Sequence, residues 1–451
     1  MVSAGTVHTA FSKSEAGLCA SAAPAWLAAA ELALSQSAPV EAERHASRGL
    51  ALIPRMEAGR ERDALEFAFL VARANALVPL KSMTAPETFA ALAAAKELLD
   101  RGIGTDLQRV SILYGLCSAS TLTARLGQAL DFAHEIIEVA ERQSNAASRV
   151  VCYRQLGTIQ LFAGDNRAAL ASLEKGEQDC PAGWQKSLSY RFGWDQHLAI
   201  LAFEVLARLS LGLLDSAAGI AARVQAEAAQ HGHATTVASA IFCARTWPKL
   251  VLGDLAALEH DCAELVIYCT EKKVEQIRLL AILLSTYARS MHAPVQTNIA
   301  ALREALAALE QSGGRAGSSI FFCCLAQALM AAGNLDGAEQ ALQDGFTFVE
   351  QSGEHYWLAD LHRLRGRIAL SRTVPDSACA EACFTTAIRV ARGQDGRLLE
   401  LRAATDLARL WRDIRSSHDA HALLQPILGT IEGGEAALDV RTARGLLDEL
   451  T

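Results

Sequence analysis

Small residues recur at fixed helical offsets after a short turn, and that recurrence limits the possible folds more than any other property of the chain. It is clearest in Tyr153, Leu156, Gly157, Gly164, Ala169, Leu173, Gly176 and Pro181. It returns as Phe322, Leu325, Ala326, Gly333, Ala338, Leu342 and Gly345. Protein interiors are packed to crystal density, so two helices that cross closely leave room only for Gly or Ala at the crossing. Larger apolar residues then fill the gaps on either side. The pattern predicts an all-α chain built as a stack of helical hairpins. Such a stack performs no chemistry by default, and the first functional expectation is recognition.

The spacing is that of a tetratricopeptide-type helix–turn–helix unit. It predicts a right-handed superhelix, an α-solenoid of antiparallel helix pairs, spanning residues 24–451 after a flexible segment 1–23. A repeat array has no size ceiling, because each unit contacts only its neighbours. The 451 residues therefore need not divide into several globular domains. Turn glycines at Gly164, Gly212, Gly253 and Gly333 step by roughly 40 to 50, or about twice 40, against roughly 34 for the standard unit. Helices are expected at Ala25–Ser35, Val40–Ile53, Arg60–Val78 and Glu87–Asp100. Hairpins follow from Leu107 onward, among them Ala147–Phe162 with Asn166–Gln178, Leu198–Leu211 with Asp215–Ala229, and Ser318–Ala332 with Leu335–Gln351. A last helix is expected over Leu438–Leu450. Proline suits a first helical turn, which places a helix start near Pro24. Pro248 falls inside the expected helix Thr235–Val251 and should kink it. Gly313–Gly314 and Gly433–Gly434 read as flexible joints.

Composition narrows the function classes. A net charge of −8 argues against direct nucleic-acid binding, which calls for a concentrated basic face. The eleven cysteines are scattered, odd in number and without a Cys-x-x-Cys pair, as expected of buried thiols in a reducing cytoplasm. Met1 to Ser14 lacks the apolar run of a secretory signal. Pro24 and Glu31 interrupt the Ala-rich stretch from Leu18 to Leu34, which is also shorter than the roughly 20 apolar residues of a membrane span. The expectation is a cytoplasmic protein that binds neither membrane nor cofactor.

The C-terminal third carries more specific motifs: His362-Arg363-Leu364-Arg365-Gly366, then Ala380, Glu381, Phe384 and Ala387, then Glu400-Leu401-Arg402-Ala403-Ala404 and Leu407-Ala408-Arg409-Leu410-Trp411. Together they resemble the tetratricopeptide-repeat region of large bacterial signalling proteins. In that family a class III adenylate/guanylate cyclase-like domain or a DNA-binding domain is followed by an AAA-type ATPase module and then the repeats. Ala42-Glu43-Arg44-His45 with Arg48-Gly49-Leu50-Ala51-Leu52, and Tyr190-Arg191-Phe192-Gly193 with Asp195, are similar to earlier parts of the same region. The resemblance runs from about Ala25 onward and implies a regulatory module whose partner could be an ATPase or cyclase. The chain departs from the family in having no Gly-x-x-x-x-Gly-Lys-Ser/Thr phosphate loop; Gly313 to Ser319 has glycines but no lysine. Gly429-Thr430-Ile431-Glu432-Gly433-Gly434 replaces the family's aromatic, acidic C-terminal stretch. The family's nucleotide chemistry is therefore not transferable here.

Several residue groups were weighed for chemistry. His231 and His233 have strand-type ligand spacing at a helix end, with no third ligand in view. His418 and His421 share a helix face that reads as solvated. Cys379 with Cys383, and Cys323 with Cys324, read as small hydrophobes on Ala-rich helices. No strained nucleophile turn is present, and no catalytic, cofactor or metal residue is assigned. Two groups remain as partner-binding candidates. Tyr190, Arg191, Phe192, Trp194 and Asp195 could form an aromatic and arginine anchor, although Asp195 could equally cap the next helix. Arg363, Arg367 and Arg402 could grip carboxylates or phosphates bidentately; Arg363 and Arg367 are four apart and share a face. Their alternative is ion pairing with Asp360, Glu381, Glu400, Asp406 and Asp413. The leading expectation is a non-catalytic scaffold that holds a protein or peptide in its concave groove, within bacterial signalling or transcription control. The alternative is a small-molecule sensor controlling an ATPase, cyclase or transcription activator, recognisable by a closed pocket lined with aromatics and arginines.

Overall fold

The computed structural model describes residues 19–143, 146–180 and 193–451. Among these the regular structure is helical, with one isolated bridge between Leu213 and Glu432 and no strand. The fold is a tetratricopeptide-like solenoid of antiparallel helix pairs. Contacts divide the chain into two compact units, Met1–Thr123 with Gln128–Ser148, and Ala124–Gly127 with Arg149–Thr451.

In the first unit, α1 (Cys19–Ser35), α2 (Pro39–Leu50), α3 (Arg60–Leu80), α4 (Pro86–Asp100) and α5 (Asp106–Leu122) each pack on the next. Most of α6 (Leu126–Gln143) also belongs to this unit. Pro24 lies inside α1 and does not open it. Cys19, Ala22 and Ala23 are buried, and their packing extends the helix through the position where proline lacks a donor. Phe69 is fully buried against Gly49, where an added Cβ would lie 2.1 Å from the ring.

The second unit begins in α7 (Ala146–Ala163) and continues through α8 (Asn166–Gln178), α9 (Gln196–Ser210) and α10 (Leu214–Ala228). The expected helix over Thr235–Val251 is α11 (Ala234–Ile241), a π turn at Phe242–Thr246 and α12 (Trp247–Leu252). The Trp247 N–H reaches back to Phe242 O, so a widened turn accommodates the Pro248 ring where a kink was expected. Then follow α13 (Leu255–Lys272), α14 (Glu275–His292), α15 (Gln296–Gln311), α16 (Ser318–Ala331), α17 (Leu335–Ser352), α18 (Leu358–Ser371), α19 (Ser377–Gly393), α20 (Arg397–Ile414), α21 (Ser417–Leu428) and α22 (Leu438–Leu450).

The repeating small residues are helix crossings. A Cβ on Gly157 would lie 2.6 Å from Leu173 Cγ and 3.0 Å from the Ala169 carbonyl. On Gly366 it would meet Phe384 at 2.6 Å and the Ala380 carbonyl at 3.1 Å. One crossing later, a Cβ on Gly176 would lie 3.2 Å from Tyr153 Cβ, and one on Gly345 would lie 3.0 Å from Phe322 Cβ. The turns share one device. Gly164, Gly253 and Gly333 adopt φ of +85°, +75° and +76°, ending one helix. The residue after each, Asp165, Asp254 or Asn334, accepts a backbone N–H and starts the next helix.

The second unit also closes on itself. The Phe162 carbonyl accepts the Tyr356 N–H at 3.1 Å. Asn166 donates to the Gln394 carbonyl at 2.8 Å, and Arg167 grips Asp395 through two bonds of 3.1 and 3.2 Å. Leu214 N donates to Glu432 O and Glu432 N to Gly212 O, at 2.9 and 2.8 Å, while Gly434 N reaches Asp215 Oδ1 at 2.9 Å. Gly433 and Gly434 are pinned here: a Cβ on either would lie 2.1 or 2.2 Å from Asp215 or Leu214.

Closure changes what the first helices of the hairpins do. In α9, residues 198–202 are buried without a break, and in α16 residues 318–326 are. Consecutive burial means that every face of a helix is covered. First helices lining an open concave groove would show side chains to a partner; these two instead pack against the unit's own side chains.

The crossings make a direct prediction. Gly157→Ala should lower the stability of the second unit by about 1–3 kcal/mol, because the Ala169 backbone cannot retreat. Gly219→Ala, inside α10 where nothing lies within 4 Å of an added Cβ, should instead raise it by about 0.5–1 kcal/mol. Urea denaturation of both variants measures the contrast.

Candidate functional site

A half-open cavity of about 250 Å³ lies between helices of the second unit. It lies among α12, α14, α16, α18, α20 and α22, which contribute Leu250, Tyr287, Ile320, Gln327, Arg363, Arg367, Arg402, Asp406, Arg409, Leu438 and Asp439, with Trp357 just ahead of α18. All three arginines singled out in the sequence line it.

Each arginine's state follows from its partners. Arg363 donates Nε and Nη2 to the two oxygens of Asp360 at 2.6 and 3.2 Å, and Nη1 to Asp406 at 2.9 Å. Asp360 is 1% exposed. Burial alone would raise its pKa, but the Arg363 and Arg402 guanidiniums outweigh burial and hold the carboxyl below its ordinary value. Arg402 donates Nε and Nη2 to Asp439 at 3.1 and 2.7 Å and Nη2 to the Val251 carbonyl at 2.8 Å. Its Nη1 lies 3.7 Å from Asp360, and its guanidinium sits over the Trp357 ring at 5.8 Å. Arg409 donates to the free side of Asp406 at 3.3 Å. Cations and carboxylates thus alternate from Arg409 through Asp406, Arg363, Asp360 and Arg402 to Asp439.

Arg367 breaks the alternation. It lines the cavity one helical turn beyond Arg363, and among the described residues no carboxylate lies within 4.0 Å of it. Burial, and then repulsion from Arg363, lower its pKa from the ordinary value, yet a guanidinium stays charged in any protein environment. The side chain is accessible to solvent even though protein surrounds it, as befits a residue facing a hollow. The ion-pairing alternative therefore describes Arg363 and Arg402 and leaves Arg367 outside it.

The remaining candidates lie elsewhere. Tyr190, Arg191 and Phe192 fall outside the described residues. Trp194 is half-buried and meets Phe203 edge-on at 6.1 Å. Asp195 is buried and caps α9, accepting the Leu198 N–H at 3.0 Å. His233 caps α11 through Thr236 N, and His231 Nε2 lies 3.6 Å from Asp195 Oδ2. Among the described residues no group of three His, Cys, Asp or Glu side chains is arranged to hold a metal ion, and no helix is long and apolar enough to cross a membrane. Cys323 and Cys324 are buried in α16. Cys383 is half-buried, and burial pushes its thiol up to about 11. Glu354 was missed in the sequence: fully buried, it accepts Gly317 N at 2.7 Å, Ser319 N at 2.9 Å and Ser319 Oγ at 2.6 Å, capping α16 from the turn that follows α17. Asp439, Tyr287, Gln327 and Trp357 were also missed, because tertiary packing brings them to the cavity from separate elements.

No known protein-family model matches the chain. An uncharacterized protein of Rhizobium meliloti (strain 1021) is 25% identical over 157 residues, which is 35% of this chain and 15% of that protein. Among solved structures, the chain is similar to a Rap protein complexed with competence and sporulation factor, at a TM-score of 0.45 and 11% identity, covering 95% of this chain and 99% of that one. It is also similar to yeast Tom70, at 0.37 and 10%, covering 99% and 95%. For the APC/C hetero-tetramer Cut9–Hcn1 the values are 0.43 and 12%, covering 98% and 88%.

The alternating network predicts that Asp360→Asn destabilises the second unit by about 3–5 kcal/mol, since it removes the buried carboxylate that Arg363 and Arg402 share and leaves each with one carboxylate partner. Guanidinium-induced unfolding followed by circular dichroism measures the loss.

Proposed function

We propose that this chain is a non-catalytic recognition and regulatory module, and that its ligand presents an anionic group to the cavity of the second unit. The observation that carries the reading is Arg367: a solvent-accessible cation without a carboxylate partner, on the wall of a cavity whose other charges are matched. Its exposed guanidinium has no carboxylate within 4.0 Å among the described residues, so an entering anion would displace no protein partner. A guanidinium fork also suits a carboxylate or phosphate, binding it through two parallel hydrogen bonds.

This reading departs from a groove-bound partner for the second unit, since α9 and α16 are covered by their own chain. It is nearer the sensor alternative, whose expected sign was a closed pocket lined by arginines and aromatics; the cavity has that lining but is half open. The resemblance of the His362–Gly366 and Glu400–Trp411 segments supplies the context we propose: bacterial signalling or transcription control, with an ATPase, cyclase or transcription activator as the regulated partner. Ligand in the cavity would touch α12 and α22 together, the elements that Arg402 ties across the closure, and so would stabilise the closed form.

The test is thermal denaturation of the full chain against a panel of organic and inorganic anions. At least one should raise the Tm of the wild type, as any ligand specific for the folded state must, and that rise should vanish in Arg367→Met. A panel without effect, or a rise that persists in the variant, would refute the reading.

A further inference from the structure

The cavity's charge balance and lining point further, to the class of ligand. Four arginines line it, Arg363, Arg367, Arg402 and Arg409, and the carboxylates that answer them are Asp360, Asp406 and Asp439. The surplus is a single positive charge, located on Arg367. A second negative charge on a ligand would find no free cation and would face Asp406 and Asp439, both on the lining.

The lining also carries apolar and aromatic side chains, those of Leu250, Tyr287, Ile320, Trp357 and Leu438. Tyr287 spends its hydroxyl on Gln327 Oε1 at 3.2 Å, so that ring offers mainly its apolar body. Size sets the remaining limit. An apolar cavity of about 150 Å³ holds benzene. The roughly 250 Å³ available here therefore admits one ring and a short arm ending in a carboxylate, but falls below the range of about 300–1,000 Å³ typical of drug-sized ligands.

We infer that the second unit binds a small amphipathic monocarboxylate, its carboxylate bidentate on Arg367 and its apolar body against Tyr287, Ile320, Trp357 and Leu438. The inference rests on the anion-recognition reading above and narrows it from any anion to one charge on an apolar body. A singly charged carboxylate completes the alternation of charges that Arg367 interrupts. The apolar body supplies the burial energy that one exposed ion pair would not, since such pairs contribute little in water.

Calorimetric titration of the full chain with 3-phenylpropionate, 3-phenylpropionamide, acetate and inorganic phosphate tests this. 3-Phenylpropionate should bind about tenfold or more tightly than each of the other three. Arg367→Met should weaken it by about tenfold, and Arg367→Lys, which keeps the charge and loses the fork, should fall between. Arg389→Gln, on α19 away from the cavity, should leave it unchanged. Phosphate binding more tightly than 3-phenylpropionate, with dependence on Arg367, would overturn the monocarboxylate and leave anion recognition standing. Equal affinity for the amide, or binding indifferent to Arg367→Met, would also overturn the inference. Absence of any Arg367-dependent anion binding would end both proposals.

Discussion

Contact between the late hairpins and the turns of the early ones is the constraint on which the second unit depends. In an open solenoid each hairpin touches only its neighbours, and the first helices line a groove. Here Gln394 and Asp395 reach Asn166 and Arg167, and the segment at Glu432 to Gly434 pairs with Gly212 to Asp215. Turn glycines serve two purposes at once. Gly212 and Gly253 take the positive φ that ends a helix, and they also leave space for Ile431 and Leu438 of the returning chain. A side chain at either position would push the returning chain away.

Closure explains the charges. Once the first helices are covered, arginines that would face a solvated groove are held in the interior, and each must find a counter-charge there. Arg363 and Arg402 do so through Asp360, Asp406 and Asp439, and Arg402 also takes the Val251 carbonyl, a group far away in sequence. The result is an alternating row that fixes α12, α18, α20 and α22 relative to one another. Arg367 stands outside that row, and its position at the cavity gives the site its character.

Local order was legible in the sequence. Helix spans agreed closely because 3.6-residue periodicity, capping residues and turn glycines are all local signals; Asn166–Gln178 and Leu438–Leu450 coincide with their expected bounds. Two local readings differed for definable reasons. Pro24 was taken for a helix start, but buried alanines before it continue the helix. Pro248 was taken for a kink, but a π turn absorbs it. The site was half legible. Arginine clustering identified Arg363, Arg367 and Arg402, since they lie within two adjacent hairpins. Nothing in the sequence marks Asp439 as the partner of Arg402, or shows that Arg367 lacks one. Those facts depend on how helices pack on one another, Arg402 and Asp439 being 37 residues apart on helices in contact, where helix periodicity has no bearing.

A disulfide trap of the closure is the most direct test. Leu213 and Glu432 form the isolated parallel bridge, and bridged residues on neighbouring extended segments lie about 4.8 Å apart, within the range a disulfide spans. In the Leu213→Cys/Glu432→Cys double variant, mild oxidation should produce an intramolecular disulfide: a faster band on a non-reducing gel, absent from either single variant and from the wild type with its native thiols. Two introduced cysteines that remain free to alkylate under the same conditions would contradict the closed second unit, and with it the cavity and the isolated charge of Arg367.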